Sequence, residues 1–166
     1  RRLACACGLG LFSAQAAALG VATIVDNPYG PVTVQGATLA GGTLSGWLTD
    51  VVIQLGNVPG DGTRSAQIDL ADLDLPAGAL LTVRAGAAGQ GVVLRNAGTR
   101  SSTIAGSLRF EAAYGPDFRA QVQDVNGLTI ADGGRVVTSA TLTVSSLGAT
   151  WDRGGVLANH GLVQGD

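Results

Sequence analysis

Lysine and methionine are absent from these 166 residues, and Glu111 is the single glutamate. The side chains that best support exposed helix surfaces are therefore missing, which argues against long surface helices. Ten arginines against 12 acidic residues give a formal net charge of −2, and that balance excludes a polybasic nucleic-acid binder. Aromatic residues make up only 4 % of the chain, too few for the bulky core of a large β-sandwich. His160 is the only histidine, so a histidine-pair metal site cannot form, and no Ser-His-Asp arrangement is supported. What is plentiful is 26 glycines together with Val, Thr, Asp and Asn, the composition of short strands joined by tight turns. With 46 % apolar residues the chain is too hydrophobic to be disordered.

The first twenty residues, RRLACACGLGLFSAQAAALG, run from two arginines through an apolar stretch into small residues. This order reads as a secretory signal over 1–16, with Ala14 and Ala16 at the two positions that must be small for cleavage. A buried N-terminal helix is the competing reading. The stretch is too short and glycine-rich for a permanent membrane span. Cys5 and Cys7 both lie in it, so residues 17–166 hold no thiol, disulfide or cysteine metal site, and neither cysteine has the leucine that a lipoprotein box requires. Loss of Arg1 and Arg2 takes the formal charge from −2 to −4. The chain starts without Met and ends in an unfinished strand-and-turn pattern, as expected of one domain, 17–166, truncated at its C-terminus.

Beyond Ala22, runs about one strand long are punctuated by Gly, Asn and Asp. Leu81, Val83 and Ala85 alternate with Thr82 and Arg84, and Ala140, Leu142 and Val144 alternate with Thr141, Thr143 and Ser145. Period 2 means strands with one buried face. Leu44, Trp47, Leu48, Val51, Val52 and Leu55 instead recur at helical spacing, against which stand Gly46 and the β-branched run Val51-Val52-Ile53. No strict repeat is visible except near the end, where GVVLRNAGTRSSTIAGSL and GVLANHGLVQGD share a pattern. Small inward residues suit a β-solenoid, in which each coil is buried by its neighbours. The expected fold is all-β, a right-handed parallel β-helix with an N-terminal cap. Its inward face is expected to carry Ile24, Val32, Val34, Leu81, Val83, Val93, Ile104, Leu108, Val122, Leu128, Ile130, Val137, Leu142 and Val144.

Signals for catalysis are weak. Asp69, Asp72 and Asp74 form the densest carboxylate cluster, but without the Gly and Glu placement of an EF-hand they read as a solvated face. The glycine-rich 86–91 stretch fits neither phosphate-binding fingerprint, and no residue implies a cofactor. Polysaccharide lyases and hydrolases are also β-helices, yet here the arginines are scattered and lysine is absent. The chain is not expected to be an enzyme.

The order of motifs is more informative. Leu75-Pro76-Ala77-Gly78 is followed by Val93-Leu94-Arg95-Asn96, then Ser102 to Leu108, then Val122 to Ile130, then Ala140 to Val144. This succession resembles the N-terminal secretion domain of filamentous haemagglutinin-type proteins, the exported partners of two-partner secretion systems. It covers about eighty residues, and its strength is the conjunction of order and spacing. The family's Asn-Pro-Asn-Gly is Asp124-Val125-Asn126-Gly127 here, without the proline, and no Asn-Pro-Asn-Leu companion is present.

The resemblance implies an export-targeting, β-helix-nucleating module of a large adhesin- or haemagglutinin-like protein of a Gram-negative bacterium. It would pass through the periplasm to the cell surface or medium. Its implied partner is an outer-membrane β-barrel transporter with periplasmic POTRA domains, and a C-terminal continuation would meet the host cell. Strand addition is the expected mode of recognition. The residues singled out for recognition or for the structural turn are Ser102, Ile104, Gly106, Leu108, Asp124, Asn126 and Gly127. Read without the family, Asp124 accepts a backbone N–H two residues on, and Asn126-Gly127 supplies the left-handed turn. The alternative is a β-helical adhesin or autotransporter-passenger segment that binds a host glycan or receptor itself.

Overall fold

The computed structural model describes residues 19–115, 117–139 and 141–145, with the backbone of 157–159 and 162–164. The expected leader, both cysteines and His160 lie outside the described residues.

Five strands come first: β1 (Ala22–Asp26), β2 (Thr33–Gln35), β3 (Thr38–Ala40), β4 (Thr43–Ser45) and β5 (Asp50–Gln54). Three strands then recur in fixed succession. They are β6 (Ala66–Leu70), β7 (Asp74–Leu75) and β8 (Leu80–Arg84), then β9 (Gly91–Asn96), β10 (Ser102–Ile104) and β11 (Ser107–Glu111). A third set is β12 (Arg119–Asp124), β13 (Leu128–Ile130) and β14 (Arg135–Thr138), followed by β15 (Thr141–Ser145), β16 (Leu157–Asn159) and β17 (Leu162–Gln164). Each set contributes one strand to each of three sheets, ordered β15-β12-β9-β6-β1-β4-β3, β16-β13-β10-β7 and β17-β14-β11-β8-β5-β2. From β5 onward the pairings are parallel, so the chain winds as a three-sided β-helix of about 3 turns.

Its N-terminal end is capped. There β1 runs antiparallel to β6 and to β4, β3 and β4 form a hairpin, and β2 runs antiparallel to β5. Antiparallel strands end the parallel stacking on two of the three faces. Tyr29 ties the cap to the coils from a buried position. Its hydroxyl donates to the Arg64 carbonyl at 2.6 Å and accepts from the Gly91 amide at 2.9 Å.

The repeat that composition hides is plain in the registers. Val51 lies opposite Leu81, Leu81 opposite Leu108, and Leu108 opposite Val136, steps of 30, 27 and 28 residues. On another face Ile68 pairs with Leu94 and Leu94 with Val122. These columns are the core, and one aliphatic layer per coil explains how so few aromatics suffice.

Several expectations need correction. Val93 and Val137 point outward and are only half-buried, because Val92, Leu94 and Val136 take the inward positions on their strands. Ile24, Val32, Val34, Leu142 and Val144 are partly buried and packed against the core rather than within it. Residues 44–55, whose sequence leaves helix and strand both open, form a strand, a bend and a strand. Trp47 is buried there while Leu48 is 60 % exposed, a split that one helical face would not produce. The apparent kinship of GVVLRN with GVLANH is compositional, since β16 pairs with β13 in the sheet of β10, not of β9.

Candidate functional site: the Asx corner

Sheet geometry decides which sequence-selected residues meet. Strands β9 and β12 lie in register, with Asn96 opposite Asp124, so two successive coils turn the same corner with an Asx residue at the last strand position. Both side chains point inward and are about as buried as the core, at 2 % and 1 % exposure. An inward carboxylate needs partners, since a buried polar group without hydrogen bonds is costly.

The partners are all donors. Asp124 Oδ1 accepts from the backbone amides of Asn126 at 2.7 Å and Gly127 at 3.1 Å. Asp124 Oδ2 accepts from Asn96 Nδ2 at 2.9 Å, from the Ser102 amide at 3.0 Å, and from the Ser102 hydroxyl. The carboxylate therefore closes its own turn and binds the start of β10 in the preceding coil. Asn96 repeats the device one coil earlier: its Oδ1 accepts from the Gly98 amide at 3.0 Å and its Nδ2 donates to the Arg100 carbonyl at 2.7 Å. Asn126 completes the link by donating from Nδ2 to the Gly98 carbonyl at 2.8 Å. Among the described residues no buried side-chain polar atom lacks a partner.

Gly127 has φ of 110°, which a side chain rarely adopts, whereas Asn126 keeps a negative φ. The turn thus takes its left-handed residue from glycine alone, not from the Asn-Gly pair as expected. The bond from Asp124 to the amide two residues on is present as expected.

Ser102, Asp124, Asn126 and Gly127 come together at this corner; Ile104, Gly106 and Leu108 do not. Ile104 lies in the column Leu75–Ile104–Ile130, and Leu108 in the column on the third face. Gly106 occupies the next corner, where a Cβ would stand 2.4 Å from the carbonyl oxygens of Pro76 and Ala79. Its role is close approach between coils. Leu75-Pro76-Ala77-Gly78 makes the equivalent turn one coil earlier: β7 ends at Leu75, Gly78 has φ of 82°, and Ala79 donates to the Pro76 carbonyl.

Asn96 and Gln90 belong to the corner chemistry and were not singled out as site residues. The signal for Asn96 is its 28-residue separation from Asp124, the length of one coil. Gln90 is fully buried at the β8–β9 corner, where Nε2 donates to the carbonyls of Gly56 and Val58, both at 2.7 Å, and Oε1 accepts from Gly86.

The carboxylate cluster is dispersed by the fold. Asp69 faces outward on β6 and pairs with Arg95, whose guanidinium pKa is raised by the hydrogen bond to Asp69. Asp74 sits on β7, on a different face, 3.6 Å from Arg100. Among the described residues no group of three potential ligands could hold a metal ion. A shallow groove of about 260 Å³ is lined by Asp74, Leu75, Pro76, Arg100, Thr103 and Ala105 on the outer side of that second face. No helix of the described residues is long and apolar enough to cross a membrane. No protein-family model matches this chain, and no curated protein and no solved structure matches it either.

Proposed function

We propose that this chain is the export-targeting and β-helix-nucleating module of a large secreted adhesin- or haemagglutinin-like protein. The observation that carries the reading is the placement of the resembling motifs on a capped parallel β-helix. Leu75 to Gly78 turns the β7–β8 corner, Val93 to Asn96 lies on β9, Ser102 to Leu108 spans β10 and β11, and Val122 to Ile130 carries β12 through β13. Motifs that follow one another in sequence thus become successive strands and corners of stacked coils.

The physical logic is directional. The cap ends the parallel stacking with antiparallel strands on two faces at the N-terminal end, so added coils stack the other way. Before folding, segments such as Leu81 to Arg84 and Arg119 to Val122 have free ladder groups, suited to strand addition by periplasmic POTRA domains of an outer-membrane transporter. Once folded, the same groups pair with neighbouring coils. Recognition therefore belongs to the unfolded chain, and release belongs to coil formation. The module would reach the cell surface or medium through the periplasm.

The test is a reporter fused behind the module and coexpressed with a two-partner transporter. Deleting Ser101 to Gly127 should abolish export, and undiminished export of the deletion would refute the proposal. An unfolded peptide spanning 101–127 should bind isolated POTRA domains, whereas the folded module should not.

A further inference from the structure

Asn126-Gly127 is the only Asn-Gly pair in the sequence. In a flexible chain this pair is chemically labile, because glycine has no side chain to keep its amide nitrogen from the preceding carboxamide. The Gly127 nitrogen, as it loses its proton, attacks Asn126 Cγ, and ammonia leaves with the closing of a five-membered succinimide. Water then opens the ring at either carbonyl, giving aspartate or isoaspartate.

The folded corner opposes each requirement. The Gly127 N–H is held by Asp124 Oδ1 at 3.1 Å, and a negative charge beside that nitrogen disfavours loss of its proton. The Asn126 carboxamide is held toward the preceding coil by its 2.8 Å bond to the Gly98 carbonyl, so swinging it onto Gly127 breaks a bond between coils. Asn126 N–H is also engaged, at 2.7 Å, by the same carboxylate.

We infer that Asn126 is a deamidation site open in the unfolded chain and closed by folding, so that the corner sets a time limit on the unfolded state. Isoaspartate lengthens the main chain by one methylene between 126 and 127. That displaces the Gly127 amide from Asp124 and shifts the entry to β13 against Ser102, which Leu128 must meet in register. A converted chain cannot close the corner. The chemistry stands without the export reading; only its consequence, a limit on how long an export-competent chain can wait, rests on that reading.

The full chain is incubated natively and in guanidinium chloride at one mildly alkaline pH, and isoaspartate at position 126 is followed by peptide mapping. The unfolded chain should convert at least about tenfold faster, as local protection by native hydrogen bonds requires. Chain aged while unfolded and then diluted should give less protease-resistant protein than fresh chain. Asn126→Ser, which cannot deamidate, should refold equally before and after ageing. Equal conversion in native and unfolded chain would overturn the inference, with Asp124 then acting as a base rather than a shield. Undiminished refolding of converted wild type would also overturn it. Neither readout involves a transporter, so a failure here is distinct from a failure of the export proposal.

Discussion

Asp124→Asn changes almost no volume, yet it should destabilise the fold, because every partner of this carboxylate is a donor. An amide nitrogen in place of Oδ1 would face the Asn126 and Gly127 amides. Placed at Oδ2 it would face Asn96 Nδ2 and the Ser102 amide. The second orientation is cheaper: the Ser102 hydroxyl can turn to accept, the Ser102 amide retains the Gly127 carbonyl at 2.8 Å, and Asn96 retains the Arg100 carbonyl. The buried Ser102 O–H then loses its acceptor, two hydrogen bonds become donor–donor contacts and two more lose charge assistance. The cost is about 2 kcal/mol. Asp124→Ala also strands the buried Gly127 amide and opens a void, for a cost on the order of 3–4 kcal/mol. Thermal unfolding followed by circular dichroism should show the Asn variant melting roughly 4–8 °C lower for a domain of this size, and the Ala variant lower still. Asp132→Asn, at an exposed turn, is the control. If Asp124→Asn melts with the control, the carboxylate is not the acceptor that holds the corner, and the reasoning fails.

Gly127→Val forces a β-branched residue to φ of 110° and should cost on the order of 1–2 kcal/mol or more, read as lost protease-resistant secreted protein. Asn126→Ala removes only the bond to Gly98 and should cost about 1 kcal/mol in a denaturant titration. Gln90→Glu sets a carboxylate oxygen against the Gly56 and Val58 carbonyls, so chemical denaturation should begin at lower urea, whereas Gln90→Glu matching wild type would contradict the assigned amide orientation. Tyr29→Phe strands the Gly91 amide beneath the cap; the expected loss is on the order of 1–3 kcal/mol, with faster amide exchange at Gly91. Asp61, capped by the hydroxyl and amide of Thr63, titrates below the usual carboxylate value of 3.8. A group depressed on folding favours the folded state above its unfolded pKa and loses that contribution as pH falls through the folded one. Carbon NMR should place Asp61 below 3.8, and Thr63→Ala should move it back up.

The strand content and the solenoid were legible in the sequence because both depend on local pattern. Alternation at Leu81-Thr82-Val83 and glycine at Gly78 and Gly127 act through backbone preferences that each segment carries by itself. The Asp124 turn was legible for the same reason, since an Asx turn closes over two residues. What the sequence by itself did not determine was phase. Val92-Val93-Leu94 and Val136-Val137 offer apolar residues to either face, and only the register with neighbouring coils turns Val92, Leu94 and Val136 inward. The helical spacing of 44–55 was overridden in the same way, by pairing of β5 with β8 along its whole length. The pairing of Asn96 with Asp124 around Ser102 joins residues up to 28 apart, and it exists only because each coil takes about that many residues to return to the same corner. Local chemistry chose strands and turns; stacking between coils decided which side chains are buried and which meet.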